Sequence, residues 1–453
     1  MVRTDMAGEQ VYKGGVLEGG VGKQFLWSDR LWIGSLVALP YVSYVALVVI
    51  LGLFIAALVR RGAQVMRLCG QRGFGWLTAG MLLSACFAID NGEGFLQLTN
   101  FLPFFVLFGV MATVPSVVAR PFEQLELLAH WLLVSSTPMS LGAIAEFIVK
   151  FDAVSPRVKA AALPGWLLAY IYEPDFGHRA HSFFSHPNML SAYLAIVLGL
   201  GLGLMLKALN TGRNDQVAWM QGAASLLCVA SIFCTGSRNG LLIAGVLIAI
   251  ALYAARRHRW VLLGGLSIGA FLVSAAFAFG IGGRSLSLAL VTQDPRLSVW
   301  RLAIDMIGQR PWLGWGFSGL RQMYIPGSIP EYDVIFHAHN FWLFLGSEAG
   351  LPVTVAFCAV VGTIYYDGVK AYLNSKIWWS RATYISATYI SDETIAPRHG
   401  DRAVLLGYLL AFASCILFGL FDVAVFESRV NLFNWGLISA IYVLSRSALS
   451  KLN

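Results

Sequence analysis

The sequence predicts an all-α polytopic membrane protein of 11–12 transmembrane helices, and three observations carry that prediction. Of 453 residues, 57% are hydrophobic and only 12% charged, against about 25% charged in an ordinary soluble domain. Apolar runs close to the ~20 residues that a span requires recur from end to end. Alternate connections between those runs gather Lys and Arg, as short cytoplasmic loops do. No Pro/Gly/Ser-rich linker separates soluble units, so residues 1–453 read as a single integral membrane domain.

Residues 1–30 mix four basic side chains (Arg3, Lys13, Lys23, Arg30) with four acidic ones (Asp5, Glu9, Glu18, Asp29). They lack the apolar core of a cleavable signal peptide. Spans are expected at about 36–59, 74–90, 95–115, 125–149, 188–206, 217–235, 240–255, 260–282, 341–366, 403–422 and 430–446. The first connection carries Arg60, Arg61, Arg67 and Arg72 with no acid, which places it in the cytoplasm. Alternation then puts Arg120, Lys207, Arg213, Arg256, Arg257, Arg259, the 367–402 loop, Arg446 and Lys451 on the same side. That parity leaves the N-terminus outside, unless residues 24–36 add a helix.

The other side receives two long outer loops, 150–187 and 283–340, and three tight turns at 90–94, 237–240 and 427–429. Within the larger loop, Leu297, Trp300, Ile304 and Ile307 recur at helical spacing, with Arg301, Asp305 and Gln309 on another face. An amphipathic helix is expected there, lying in the outer interface or packed as a cap over the spans. The segment Pro311-Trp312-Leu313-Gly314-Trp315-Gly316 ends it.

Six cysteines (Cys69, Cys86, Cys228, Cys234, Cys358, Cys415) are scattered and form no CxxC pair, which argues against a disulfide framework or structural zinc. The net charge of +8 suits basic cytoplasmic loops and an anionic lipid substrate. No nucleic-acid motif competes for it.

Candidate chemistry gathers on the outer side. His337 and His339 flank Ala338 where the large loop enters a span, and histidine there can serve as a general base toward a hydroxyl. Arg238, Arg296, Arg301 and Arg429 lie at the same face. Guanidinium groups hold phosphate oxygens bidentately and keep their charge. Alternatively Arg301 pairs with Asp305 and Arg429 with Glu427. A second cluster, His178-Arg179-Ala180-His181 with His186-Pro187-Asn188, offers substrate contacts or a helix cap. With His337, His339, Glu331 and Asp333 it also has the residue types for a divalent metal, but the spacing matches no metal motif, and none is expected. Glu348, nine residues beyond His339, is ionisable inside a span. Nine helical steps turn it away from His339, so it is read as a structural or gating partner.

These residues resemble the O-antigen ligase and polymerase superfamily, whose members process glycans carried on undecaprenyl diphosphate. The likeness is most specific in three places. His339-Asn340 with Gly350 matches a histidine, polar residue and spaced glycine, although Val353 stands where Gly, Thr or Tyr is usual. Thr235-Gly236-Ser237-Arg238-Asn239-Gly240 is similar to the family's Ser-Arg-Gly turn. Arg296 to Trp300, followed by Pro311 to Gly316, resembles its large-loop arginine and Pro-x-x-Gly-x-Gly segment. The resemblance implies a GT-C-like glycosyltransferase of the bacterial inner membrane, its site facing the periplasm, working without metal or other cofactor. It implies that Arg238 and Arg296, assisted by Arg301 or Arg429, hold the diphosphate of an undecaprenyl-diphosphate-linked glycan. By the same resemblance His339 takes a proton from an acceptor hydroxyl on lipid A–core, whose attack inverts the anomeric carbon of the glycan. The resemblance further implies that His337 orients His339 or substitutes for it, and that His181, His186 and Asn340 contact the acceptor or shape the loops. The late loop lacks the Arg-x10-Gly pattern of polymerases, which tilts the reading to a ligase. An O-antigen or exopolysaccharide polymerase remains the alternative. An anion transporter of bicarbonate type and a non-catalytic assembly component are the rivals from other classes.

Overall fold

The computed structural model describes residues 21–150, 164–165, 176–280, 294–330, 332–374 and 399–450. Expectations that fall on other residues, Glu331 and most of the 150–187 loop among them, lie outside the described residues. The described chain is helical and holds no β-strand beyond one isolated bridge between Ile329 and Tyr332.

The helices are α1 (Val21–Ala38), α2 (Ser43–Gln71), α3 (Phe74–Cys86), α4 (Asn91–Gln97), α5 (Leu102–Ala112), α6 (Pro115–Ala119), α7 (Pro121–Lys150), α8 (Pro187–Asn210) and α9 (Gln216–Cys234). There follow α10 (Arg238–Ala254), α11 (Arg259–Phe279), α12 (Arg296–Gln309), α13 (Gly319–Met323), α14 (Phe341–Ala349), α15 (Leu351–Leu373), α16 (His399–Phe418) and α17 (Ser428–Leu449). Among the described residues, eight helical segments are long and apolar enough to cross a membrane: α2, α4 with α5, α7, α8, α9, α15, α16 and α17. Helices α3 and α10 are apolar but shorter. Each of the eleven runs expected from hydropathy coincides with helix. The chain is a multi-pass membrane protein.

Three elements depart from the expected outline. Helix α1 fills the place left open at residues 24–36 and packs on α2 and α7. Its Trp32, Ile33 and Leu36 share a cavity wall with Val114, Val117 and Leu125. Helix α2 does not stop at the arginines: it bends at Arg61 (φ −136°, ψ 18°) and runs on to Gln71. The buried Val65 and Cys69 of that extension lie against Gly109. The ninth expected span is two helices, broken at Gly350 (φ +85°).

Helix α8 is the centre of the bundle. Small residues allow its closest contact, because Gly199 and Gly203 lie on Ala411 and Gly407 of α16, where an added Cβ would collide with backbone. Helix association within lipid relies on such close backbone approach rather than on hydrophobic burial.

The connections sort to two ends. Arg72 pairs with Asp367 at 3.6 Å, Lys207 pairs with Glu126, and Arg61 donates to the Thr113 carbonyl. Arg402 donates to the Tyr372 carbonyl at 3.1 Å. At the far end, Arg429 reaches the carbonyls of Phe183 and Pro40 at 2.8 and 3.4 Å. Asn340 donates to the Leu420 carbonyl at 3.1 Å.

The Pro311–Gly316 segment closes the break between α14 and α15. Trp315 and Gly316 donate backbone N–H to the carbonyls of Ser347 and Glu348 at 2.9 and 2.8 Å, and Leu351 donates to Pro311 at 2.8 Å. Gly314 and Gly316 take φ of +68° and +81°, conformations that favour glycine. Helix α12 packs on α14 as a cap. Its buried stripe is Val299, Ala303 and Met306, one step round from the predicted apolar face. Ile304 is left 54% exposed.

Glu348 is fully buried and accepts backbone N–H from Gly319 and Leu320, both at 2.8 Å. It thus holds the loop that follows Gly316. Replacing Glu348 with alanine orphans both donors, which costs about 1–3 kcal/mol each. We expect an earlier thermal unfolding transition in detergent, and an unchanged transition would count against this brace.

Candidate active site

The site is built where the α16–α17 turn meets the entrance to α14. Asn340 caps α14, its Oδ1 accepting from Trp342 and Leu343 N–H at 3.0 Å each. Its Nδ2 and the Phe341 N–H tie the carbonyls of Leu420 and Gly419 to this entrance. The turn that follows delivers Asp422 beneath His339. Asp422 Oδ1 stands 3.6 Å from His339 Nδ1.

Asp422 is buried and held on both oxygens. Oδ1 accepts from the Val423 N–H at 2.9 Å and Oδ2 from Asn188 Nδ2 at 3.1 Å. Asn188 in turn accepts from Arg179 at 2.6 Å, and Arg179 also donates to the Thr235 carbonyl at 2.9 Å. A chain of contacts therefore runs from the Arg238 turn through Arg179 and Asn188 to Asp422 and His339. Burial pushes the Asp422 carboxyl up, but the His339 contact and the nearby His337 and Arg296 outweigh it and hold it well below the usual carboxylate range.

His339 adopts φ +48°. A non-glycine residue in that region costs of order 1–3 kcal/mol and persists where its surroundings over-determine it. Its Nδ1 is buried without a hydrogen bond, which leaves Nε2 as the nitrogen available to a substrate. The His337 ring lies 4.6 Å from the His339 ring, stacks on Phe426 at 5.4 Å, and accepts the His339 N–H at 3.3 Å. Burial, with His339 next, lowers its pKa to about 4. His186 caps α8 through Nδ1. Burial and then Arg179 lower its pKa also to about 4. Both imidazoles are thus neutral near pH 7.

Arg296 faces this cluster, since its charge is felt by His186, His337, Tyr332 and Asp422. Arg238 opens α10 just after the Ser237 cap, with no ion-pair partner among the described residues. Arg429 is placed differently: buried, bonded to Glu427 at 2.6 Å, and stacked 4.0 Å over Phe184. Its guanidinium braces loops and is not presented to a ligand. Arg301 is exposed on α12, and no contact among the described residues joins it to the cluster. His181 is buried, its ring 3.0 Å from the Phe184 carbonyl and 3.5 Å from Glu146. Glu146 also pairs with Lys150 at 2.7 Å, so His181 belongs to a buried brace with the end of α7.

Sequence reasoning did not single out Asp422. It stands at the end of an expected span, in Gly419-Leu420-Phe421-Asp422. An acid at the edge of an apolar run was the available signal. Asp422, His337 and His339 are also the described residues grouped as metal ligands should be, their donor atoms within 4.8 Å of one another. Two imidazoles and a carboxylate suit a divalent transition metal.

Residues 223–358 match a family model described as O-antigen ligase. That part of the chain is similar to an O-antigen ligase domain. The matched residues contain Arg238, Arg296, His337 and His339. Asp422, Asn188 and Arg179 fall outside the matched residues and are joined to them only through space. No curated protein matches the chain.

Proposed function

We propose that this protein is an O-antigen ligase, transferring a glycan from undecaprenyl diphosphate to a sugar hydroxyl of lipid A–core at the periplasmic face of the inner membrane. The observation that carries the reading is the imidazole of His339, open at Nε2 and backed at Nδ1 by buried Asp422, inside a face that also holds Arg296 and the Arg238 turn. His339 Nε2 takes the acceptor hydroxyl proton as the oxygen bonds to the anomeric carbon. The bond from that carbon to the diphosphate breaks from the opposite side, inverting the centre. Arg238 and Arg296 receive the departing diphosphate, whose charge grows in the transition state. Asp422 keeps the imidazole oriented and stabilises its protonated form.

Transport is the weaker reading. A transporter places ionisable groups at mid-membrane on broken helices, and Glu348, the candidate for that role, is engaged by backbone N–H groups.

The test is transfer by purified protein in EDTA, with an undecaprenyl-diphosphate-linked glycan, with and without lipid A–core. We expect a mobility shift of lipid A–core that EDTA leaves intact. Lengthening of the glycan without that acceptor would make the protein a polymerase. Loss in EDTA restored by zinc would reassign His337, His339 and Asp422 to a metal.

A further inference from the structure

A second site lies at the opposite end of the bundle, where the Arg72–Asp367 and Lys207–Glu126 pairs also lie. A cavity of about 470 Å³ opens between the end of α8, the α10–α11 turn, the end of α15 and the start of α16. Arg256, Arg257, His258 and Arg402 line it together with Asn210 and Tyr372, and no carboxylate is among its described lining residues.

The partners of two of these arginines are neutral. Arg256 donates to the Tyr253 carbonyl at 3.1 Å and lies 4.6 Å over the Tyr253 ring. Arg402 donates to the Tyr372 carbonyl at 3.1 Å and lies 4.6 Å over the Tyr372 ring. Both charges act on the Tyr372 hydroxyl, so the two guanidiniums converge, and no carboxylate among the described residues pairs with either. Like charges around one cavity repel, and a bound anion removes that cost. Guanidiniums lining one cavity suit phosphate oxygens. Leu206, Leu209 and Leu406 form the rest of the wall, and an apolar wall beside a cationic one fits a headgroup with acyl chain attached.

We infer that this cavity binds the phosphate headgroup of an anionic phospholipid, at a site separate from the one that handles the glycan. Basic pockets between helix ends at the cytoplasmic face recognise lipids in this way. The glycan reaction uses none of these residues, so the inference stands whether or not the transfer reading does.

The experiment compares full-length protein in nanodiscs of phosphatidylglycerol with phosphatidylcholine and in phosphatidylcholine, reading thermal unfolding and lipid retained in native mass spectrometry. The wild type should unfold later and retain phosphatidylglycerol. The double variant R256Q/R402Q should bind it about tenfold or more weakly. The variant R256K/R402K keeps the charge and should retain most of the effect, which separates lost binding from lost folding. Inorganic diphosphate added to the phosphatidylcholine discs forms the second arm. Stabilisation by diphosphate with none by phosphatidylglycerol would assign the cavity to a soluble anion and overturn the lipid reading. Equal behaviour of the wild type in both lipids would overturn it too, as would wild-type retention by R256Q/R402Q.

Discussion

Replacement of His339 by alanine is expected to lower glycan transfer about 10²–10⁴-fold, the usual contribution of a general base, with the protein still assembled in the membrane. The size of the effect follows from what the imidazole does and what it does not do. No described side chain depends on Nε2, and Nδ1 lacks a hydrogen-bond partner, so removing the ring breaks no structural bond. The backbone remains tied, because Asn340 and Phe341 make the contacts that hold the entrance to α14. His337→Ala should be milder, since His337 supports the His339 N–H and packs on Phe426. Turnover would be measured with purified protein, alongside its thermal transition. Transfer by the alanine variant within threefold of wild type would remove His339 from the chemistry.

The membrane made most of this fold legible. Lipid demands long apolar runs and penalises charges within them, so the helical runs could be placed from hydropathy. Legibility failed where charges and helix coexist. Lys23, Asp29 and Arg30 hide α1, and the arginines after residue 59 resemble a loop although α2 runs through them. The break at Gly350 was invisible because both flanks are apolar, and only the carbonyls of Ser347 and Glu348, occupied by the Pro311–Gly316 segment, explain it. For α12, the four apolar residues at helical spacing pointed to one face. The smaller Val299 and Ala303 were chosen for burial because they let the helix lie close on α14. In the site, the histidines and arginines at span ends stood out as charge without a topological reason. What charge alone did not tell was which arginines are already satisfied. Arg429 has a carboxylate, two carbonyls and a ring, whereas Arg238 has no ion-pair partner among the described residues. Asp422 was missed because its function depends on a turn more than 80 residues away from His339 in sequence, and no local pattern encodes that meeting.

Replacement of Asp422 by asparagine should cost nearly as much as loss of the base itself, about 10²–10⁴-fold in kcat, with little change in KM for the lipid-linked donor. The carboxylate has two acceptor oxygens, and both are used: Oδ2 takes the Asn188 amide, while Oδ1 takes the Val423 N–H and faces His339. Asparagine offers one oxygen and one NH2. If its NH2 faces Asn188, two donors meet; if it faces His339, it donates to Nδ1 and drives the imidazole proton onto Nε2. That tautomer cannot accept a proton from the acceptor hydroxyl. The same substitution removes the negative charge that stabilises the imidazolium formed during transfer. Donor binding is expected to survive because Arg238 and Arg296 are untouched. The split between kcat and KM separates this orienting role from a general loosening of the α16–α17 turn, which would raise KM and lower the unfolding transition together. A variant with wild-type kcat would show that His339 works without its carboxylate and would sink the dyad.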